Sequence, residues 1–357
     1  MISLATPQPS RCPDPTAKAI ELAHLSFERP TLEEAERFLT DFGLRVTHRS
    51  ADTLWFRNAG RSPFCHVVRK ADKARFAGLA FRVATRQELE ALSDVPGASA
   101  IEPMGAPGGG ERVQLIDPAG FVVDAVHGQV EVEPLPHREP LCVNSPETHP
   151  RVNDTQRPPV AAPETTKLGH VVLEVPQFQD TCAWYSQHFG LIPSDVQVLP
   201  DGSPAVVFMR LDLGATPADH HTLAIVQGFA PHFAHCAYEV VDADAVAIGE
   251  RWMRERGWRH AWGIGRHILG SQVFDYWNDP YGAKHEHYSD GDVFTADHPM
   301  GVHAVSRAAM SQWGPAMPKS FIRPELSVEN LKALARVFGP NSDVSPRTLF
   351  RLLKAMG

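Results

Sequence analysis

The sequence lacks the features of a membrane protein and of a disulfide-stabilised protein. No apolar run approaches the roughly 20 residues that a membrane-spanning helix needs, and residues 1–7 contain no signal-peptide core. The five cysteines are scattered and include no C-x-x-C pair, which argues against a disulfide framework and against a cysteine-based zinc site. We therefore expect a cytoplasmic protein with reduced thiols and without a membrane partner.

Positive charge is also in short supply. The chain carries 34 Lys and Arg against 42 Asp and Glu, for a formal net charge of −8. Binding to nucleic acid or to an anionic membrane normally depends on an excess of basic residues, so we expect neither partner. With 357 residues, 43% of them hydrophobic, the chain is long enough for two domains with buried cores.

Three distant segments each place one metal-binding side chain in a context typical of a strand. His170 lies in L-G-H-V-V-L, His235 lies in F-A-H-C-A-Y, and Glu286 follows a D-P-Y-G turn by four residues. Two imidazoles and one carboxylate hold a non-haem Fe(II) on one face and leave other positions open, and Mn(II) accepts the same ligands. His285 and His287 flank Glu286, so strand alternation should turn both to the opposite face.

The chain also repeats itself. Residues 22–28 match 168–174, residues 74–83 match 231–240, and residues 117–124 match 279–286. Each copy is itself a pair of modules with the order strand, helix, strands. In the C-terminal copy, residues 180–189 carry helical apolar spacing that Gly190 ends, and residues 206–209 and 222–226 are rich in β-formers.

The two copies differ at the metal-binding positions. The N-terminal copy keeps His24 where the C-terminal copy has His170, but it has Gly78 in place of His235 and Asp124 in place of Glu286. Glycine offers no ligand, so an intact triad is impossible there. We interpret the N-terminal copy as a structural domain.

This pattern predicts five segments along the chain. They are an N-terminal tail at 1–16, a non-catalytic domain at 17–133, a linker at 134–165, a catalytic domain at 166–292, and a loop with helices at 293–357. Residues 327–338 and 345–356 have the apolar stripes of amphipathic helices. Such stripes must be buried, so we expect the tail to shield the site or to join copies into a homo-oligomer.

From about residue 17 to 292 the sequence resembles the vicinal oxygen chelate superfamily, and within it the two-domain type I extradiol ring-cleaving dioxygenases. The most specific segments are G-R-H at 265–267, Q-V-F-D-Y-W at 272–277 and D-P-Y-G at 279–282. Residues 153–158 and 313–318 loosely resemble the trihydroxytoluene oxygenase branch. The resemblance implies an α+β fold of four βαβββ modules, paired into two domains, with a C-terminal helical extension.

The same resemblance implies roles for further residues. His221 corresponds to the family's acid–base histidine, a task that imidazole suits near neutral pH. Its neighbour His220 is then the less important histidine, and the repeat aligns His66 with His221. His267 and Tyr276 correspond to residues that hydrogen-bond the hydroxyl oxygens of the substrate.

The function that we predict is Fe(II)-dependent extradiol cleavage of a catechol-type or trihydroxylated ring with O2. A 4-hydroxyphenylpyruvate dioxygenase uses the same ligand types, but its glycine-rich C-terminal signature is missing here. A glyoxalase or epimerase has little use for His221, His267 and Tyr276 together, and a drug-binding module needs no metal ligands. These alternatives stay open at the level of sequence.

Overall fold

The computed structural model describes residues 6–322 and residue 351. The helices predicted at residues 327–338 and 345–356 lie outside the described residues. The described chain contains four successive βαβββ modules followed by short tail elements. No helix in this part of the chain is long and apolar enough to span a membrane.

The first two modules occupy the N-terminal half. Module one consists of β1 (Ala19–Arg29), α1 (Leu32–Asp41), β2 (Arg45–Arg49), β3 (Thr53–Arg57) and β4 (His66–Lys70). Module two consists of β5 (Arg75–Val83), α2 (Arg86–Ser93), β6 (Glu102–Pro103), β7 (Glu111–Ile116) and β8 (Val122–His127).

The other two modules follow a long irregular segment. Module three consists of β9 (Thr165–Val175), α3 (Phe178–Phe189), β10 (Ile192–Val198), β11 (Pro204–Arg210), an added β12 (Ala218–Asp219) and β13 (Leu223–Gln227). Module four consists of β14 (His232–Val240), α4 (Ala243–Glu255), β15 (Arg259–Arg266), β16 (Val273–Asn278) and β17 (Lys284–Ser289). The tail adds β18 (Val293–Phe294), β19 (Gly301–Ala304), a 3₁₀ turn (Arg307–Met310) and α5 (Lys319–Ile322).

The modules pair into two large sheets. Eight strands run in the order β2-β3-β4-β1-β5-β8-β7-β6, and nine run in the order β15-β16-β17-β14-β9-β13-β11-β10-β19. In each sheet the first strands of the two modules lie antiparallel at the centre, β1 with β5 and β9 with β14. This is the α+β architecture of two paired-module domains that the sequence predicts.

Local sequence explains the ends of the helices in the second half. The helix α3 buries Phe178, Tyr185 and Phe189 and ends at Gly190, whose φ of 66° is left-handed, as a glycine C-cap allows. The helix α4 begins after Asp242, whose carboxylate accepts a hydrogen bond from the backbone N–H of Ala245.

Buried contacts join the two sheets into one core. Phe27 of β1 meets Phe233 of β14 edge to face with 5.2 Å between ring centroids. Arg29 pairs with Asp279 at 2.8 Å, and both side chains are almost fully buried. Asp279 also accepts hydrogen bonds from two backbone N–H groups of its own turn. The D-P-Y-G segment therefore forms the turn that its sequence indicates, and the pair with Arg29 also ties this turn to the N-terminal half.

Candidate metal centre and active site

Three neighbouring strands bring His170, His235 and Glu286 together. Ala237 of β14 pairs with His170 of β9 on one side and with Glu286 of β17 on the other. His235 lies two residues before Ala237 and so shares its face of the sheet. One ligand atom from each of the three residues lies within 4.8 Å of the others, and no second group of this kind occurs among the described residues.

Glu286 is the charged centre of this cluster. Its carboxylate is fully buried, and His170 Nε2 and His235 Nε2 lie 3.2 and 3.4 Å from Oε2. Neither carboxylate oxygen has a hydrogen-bond partner of good geometry within residues 6–322. Burial raises the pKa of Glu286, but the facing imidazoles of His170 and His267 outweigh it and hold the pKa well below its usual range. A buried carboxylate that faces three imidazoles but makes no hydrogen bond of good geometry fits a bound cation.

The His235 imidazole is in the form that binds metal. Burial lowers the pKa of His235 to about 3, so its ring is neutral at neutral pH. Neutral imidazole and carboxylate are the ligand forms that a divalent cation needs, because a protonated ring has no lone pair to offer. The donor set therefore fits Fe(II) or Mn(II).

The histidines that flank Glu286 lie on the opposite face, as strand alternation predicts. His287 Nε2 lies 2.7 Å from the carbonyl oxygen of Phe42, and the two rings stack with 3.8 Å between centroids. His285 packs against Phe38 and Phe42 at the end of α1. Both histidines serve the contact between the two halves.

His221 lies beside the cluster, just before β13. Its ring centroid is 4.0 Å from that of His170, and only 4% of the residue is exposed. Burial, followed by the neighbouring His170 and His220, lowers its pKa well below the usual value. Its Nδ1 lies 2.9 Å from Nδ1 of His220, which leaves Nε2 as the nitrogen on the other side of the ring.

His267 and Tyr276 form a hydrogen-bonded pair on the other side of Glu286. His267 Nε2 lies 2.9 Å from the Tyr276 hydroxyl and 3.7 Å from Glu286 Oε1. Its Nδ1 lies 2.7 Å from the carbonyl oxygen of Met310, which can only accept, so Nδ1 carries a proton. In the neutral ring Nε2 then accepts from Tyr276. Burial, with Glu286 nearby, raises the pKa of Tyr276 well above its usual value, so the hydroxyl keeps its proton.

The tail covers this side of the site. Met317 packs with Trp262, Phe274 and Tyr276 in one buried cluster, and Phe321 lies against it. Trp262 Nε1–H donates to the carbonyl oxygen of a tail proline at 2.8 Å. Arg266, in the strand that leads to His267, pairs along the backbone with the tail and forms an ion pair with a neighbouring aspartate. Its side chain therefore holds the hairpin in place.

Strand register tests the internal repeat in the N-terminal half. Ala80 of β5 pairs with both His24 and Asp124, just as Ala237 pairs with His170 and Glu286. His24 and Asp124 therefore occupy the positions that the sequence assigns to them. Asp124 is bonded to Arg112 and Gln114, so a guanidinium lies beside the carboxylate there. These two partners compensate the negative charge of the Asp124 carboxylate, whereas the Glu286 carboxylate makes no hydrogen bond of good geometry.

The alignment of His66 with His221 is wrong. His66 pairs with Leu25, the residue after His24, whereas Leu223 pairs with Val171, the residue after His170. His66 thus corresponds to Leu223, and its Nδ1 lies 2.7 Å from the hydroxyl of Tyr238 within the core between the sheets. Identical residue type suggested the match, but backbone pairing decides it.

Sequence reasoning missed two residues near the site. Asp195 of β10 lies 2.8 Å from His220 Nε2, and its other oxygen lies 2.8 Å from His303 Nε2 in the tail. The adjacent pair of His220 and His221 was the sole hint in the sequence. Nothing local marks Asp195 or His303, because both reach the pair through sheet pairing.

Comparison with known proteins agrees with this geometry. Residues 167–286 match the model of the Glyoxalase/Bleomycin resistance protein/Dioxygenase superfamily. Metapyrocatechase 2 of Cupriavidus necator is 31% identical over 315 residues, which is 84% of this chain and 90% of that protein.

Two solved structures share the fold. The Mn(II)-bound glyoxalase from Novosphingobium aromaticivorans has a TM-score of 0.72 at 24% identity, covering 86% of this chain and 95% of that one. A variant of homoprotocatechuate 2,3-dioxygenase from B. fuscum, in complex with HPCA, has a TM-score of 0.74 at 18% identity, covering 89% and 84%. Given the identity and coverage of the metapyrocatechase match, the chain belongs to the extradiol ring-cleaving dioxygenases of the vicinal oxygen chelate superfamily.

Proposed function

We propose that the protein opens the ring of a catechol-type or trihydroxylated aromatic compound beside its vicinal hydroxyls, with O2 as co-substrate. His170, His235 and Glu286 would hold one Fe(II), with Mn(II) as the alternative metal. The observation that carries the proposal is the convergence of these three side chains on one buried carboxylate, with His221 on one side and His267 and Tyr276 on the other.

The surrounding residues divide the work of binding and proton transfer. A metal held by His170, His235 and Glu286 would supply Lewis-acid activation of the diol and electron transfer between the diol and O2. His221 is the acid–base group, because its Nε2 is not used by His220 and its ring lies against a ligand. His267 and Tyr276 orient the substrate hydroxyl oxygens, and the buried tail cluster keeps water from that side.

The domain boundaries follow from the same proposal. Residues 166–292 would form the catalytic domain, and residues 17–133 a domain that holds no metal and supports the first through buried contacts such as Arg29 with Asp279. We further propose a cytoplasmic homo-oligomer. All five cysteines are free, which fits a reducing compartment, and the apolar stripes after residue 322 fit a contact between copies.

The test is a substrate panel on full-length protein loaded anaerobically with Fe(II), and in parallel with Mn(II). Substituted catechols and trihydroxybenzenes are expected to consume about one O2 per molecule of diol and to yield products with new near-ultraviolet or visible absorbance. Mass spectrometry with isotopically labelled O2 should find both labelled atoms in the product. If every diol leaves O2 untouched while 4-hydroxyphenylpyruvate consumes it, the proposal is wrong and that alternative replaces it.

A further inference from the structure

A chain of hydrogen bonds leads from His221 to the surface. His221 Nδ1 lies 2.9 Å from His220 Nδ1, His220 Nε2 lies 2.8 Å from Asp195 Oδ2, and Asp195 Oδ1 lies 2.8 Å from His303 Nε2. The side-chain exposure rises along the chain, from 1% at His220 to 13% at Asp195 and 43% at His303. Four polar groups in series thus connect the buried site with solvent.

When His220 is neutral, this series of hydrogen bonds has one consistent order of donors and acceptors. A carboxylate only accepts, so both His220 Nε2–H and His303 Nε2–H donate to Asp195. A neutral His220 then has its lone pair on Nδ1 and must accept from Nδ1–H of His221. It follows that the lone pair of His221 is on Nε2, the nitrogen left free for the reaction. Asp195 therefore sets the tautomer of a ring that it does not touch.

Two glycines leave space for this series of hydrogen bonds. A Cβ on Gly301 would lie 2.0 Å from Asp195 Oδ1 and 2.7 Å from His303 Nε2, so glycine is required where β19 pairs with Asp195. Gly270, with φ of 82°, passes close to His220, and a Cβ there would lie 3.1 Å from Nδ1. Burial raises the pKa of Asp195, but the hydrogen bonds from His220 and His303 lower it overall, which keeps the carboxylate charged.

We propose that His220, Asp195 and His303 are positioning residues for ring cleavage, which hold the His221 imidazole in one tautomer and orientation and link it to solvent. The inference rests on the acid–base role proposed for His221. His220 then has a positioning role that the sequence did not suggest. The tail strand β19 contributes to the same role, because His303 lies on that strand.

The first experiment compares two substitutions in full-length, metal-loaded protein. Asp195→Asn keeps the shape, but its amide can accept from only one of the two histidines, so it no longer fixes the donor order along the hydrogen-bonded series. His220→Gln removes the link to His221. For a group that acts through another, we expect kcat to fall about 10- to 100-fold, less than the roughly 10²–10⁴ that the acid–base group itself contributes. KM for the diol and metal content should stay within about twofold.

The matched control lies on the same tail segment. His298 stacks on Phe294 and its ring has no place in the chain, so His298→Gln should leave kcat unchanged. His303→Gln keeps a donor for Asp195 and should therefore lose less activity than His303→Ala. A purely structural role predicts instead that Tm, metal content and KM change together with kcat, and that outcome overturns the proposal.

A second measurement does not depend on activity. Nitrogen-15 NMR of the histidine rings in metal-free, full-length protein should find His220 protonated on Nε2 and His221 on Nδ1. In Asp195→Asn part of each population should move to the other ring nitrogen. His220 protonated on Nδ1 in the wild type would contradict the inference. Wild-type inactivity toward diols, or full activity of His221→Asn, would refute the proposed function instead. If His221→Asn is slow while Asp195→Asn and His220→Gln turn over at the wild-type rate, only the positioning role of Asp195 and His220 is refuted.

Discussion

Replacing His235 by Ala is the most direct test of the metal centre. His235 Nε2 lies 3.4 Å from the buried Glu286 carboxylate, and the side chain is one of three that converge there. The substitution removes one of the three proposed ligands and one of the imidazoles that face the Glu286 carboxylate. The matched control is His24→Ala, because His24 holds the equivalent position in the N-terminal half, where Gly78 offers no partner ligand.

The expected size of the effect follows from linkage between metal binding and folding. Metal at about 100 times its dissociation constant stabilises the folded state by about 2.7 kcal/mol. For a domain of about 150–250 residues, 1 kcal/mol corresponds to about 2–4 °C in Tm. Fe(II) or Mn(II) should therefore raise the Tm of the wild type by about 5–11 °C, whereas His235→Ala should lose this increase.

Calorimetry with and without metal, together with metal analysis, checks this reasoning. The wild type should bind about one metal per chain. The His24→Ala variant should start from a lower Tm, since a buried side chain is removed, but should keep both the metal and the metal-induced increase. About two metals per chain, or a loss of the increase in His24→Ala, would refute the assignment of the metal to the C-terminal half.

Three further predictions concern chemistry, packing and pH. His221→Asn should keep its metal and lower kcat by about 10²–10⁴, as measured by O2 uptake and metal analysis. Met317→Ala should lower the free energy of unfolding by about 2–5 kcal/mol and raise KM, because Met317 is 2% exposed and packs beside Tyr276. The control is Trp313→Ala, which should change stability little because Trp313 is 48% exposed. Burial lowers the pKa of His24 from 6.5 to about 3. Between these pH values the unfolded chain binds a proton that the folded protein does not bind. The contribution of His24 to stability is therefore full above pH 6.5 and declines as the pH falls toward 3. His24→Gln should flatten the loss of stability in that window, as measured by urea unfolding at several pH values, and an unchanged slope would contradict it.

The sequence by itself determined the repeat and the fold class, and it singled out three side chains that converge in the structure, His170, His235 and Glu286. Each of these follows from the type and spacing of residues along the chain. Candidate ligands are recognisable in one copy of the repeat because the other copy lacks them, as Gly78 at the position equivalent to His235 shows. Gly190 ends a helix for a reason that is local to the chain, namely the left-handed conformation that glycine adopts without strain.

Only the tertiary structure decided which polar groups lie around that centre. His66 matched His221 by residue type, but strand pairing places it opposite Leu25 and so assigns it to the core between the sheets. Asp195 and His303 are 108 positions apart and meet because β19 returns from the tail to pair with β10. A hydrogen bond depends on register and on the path of the returning chain, and neither leaves a periodic trace in the sequence.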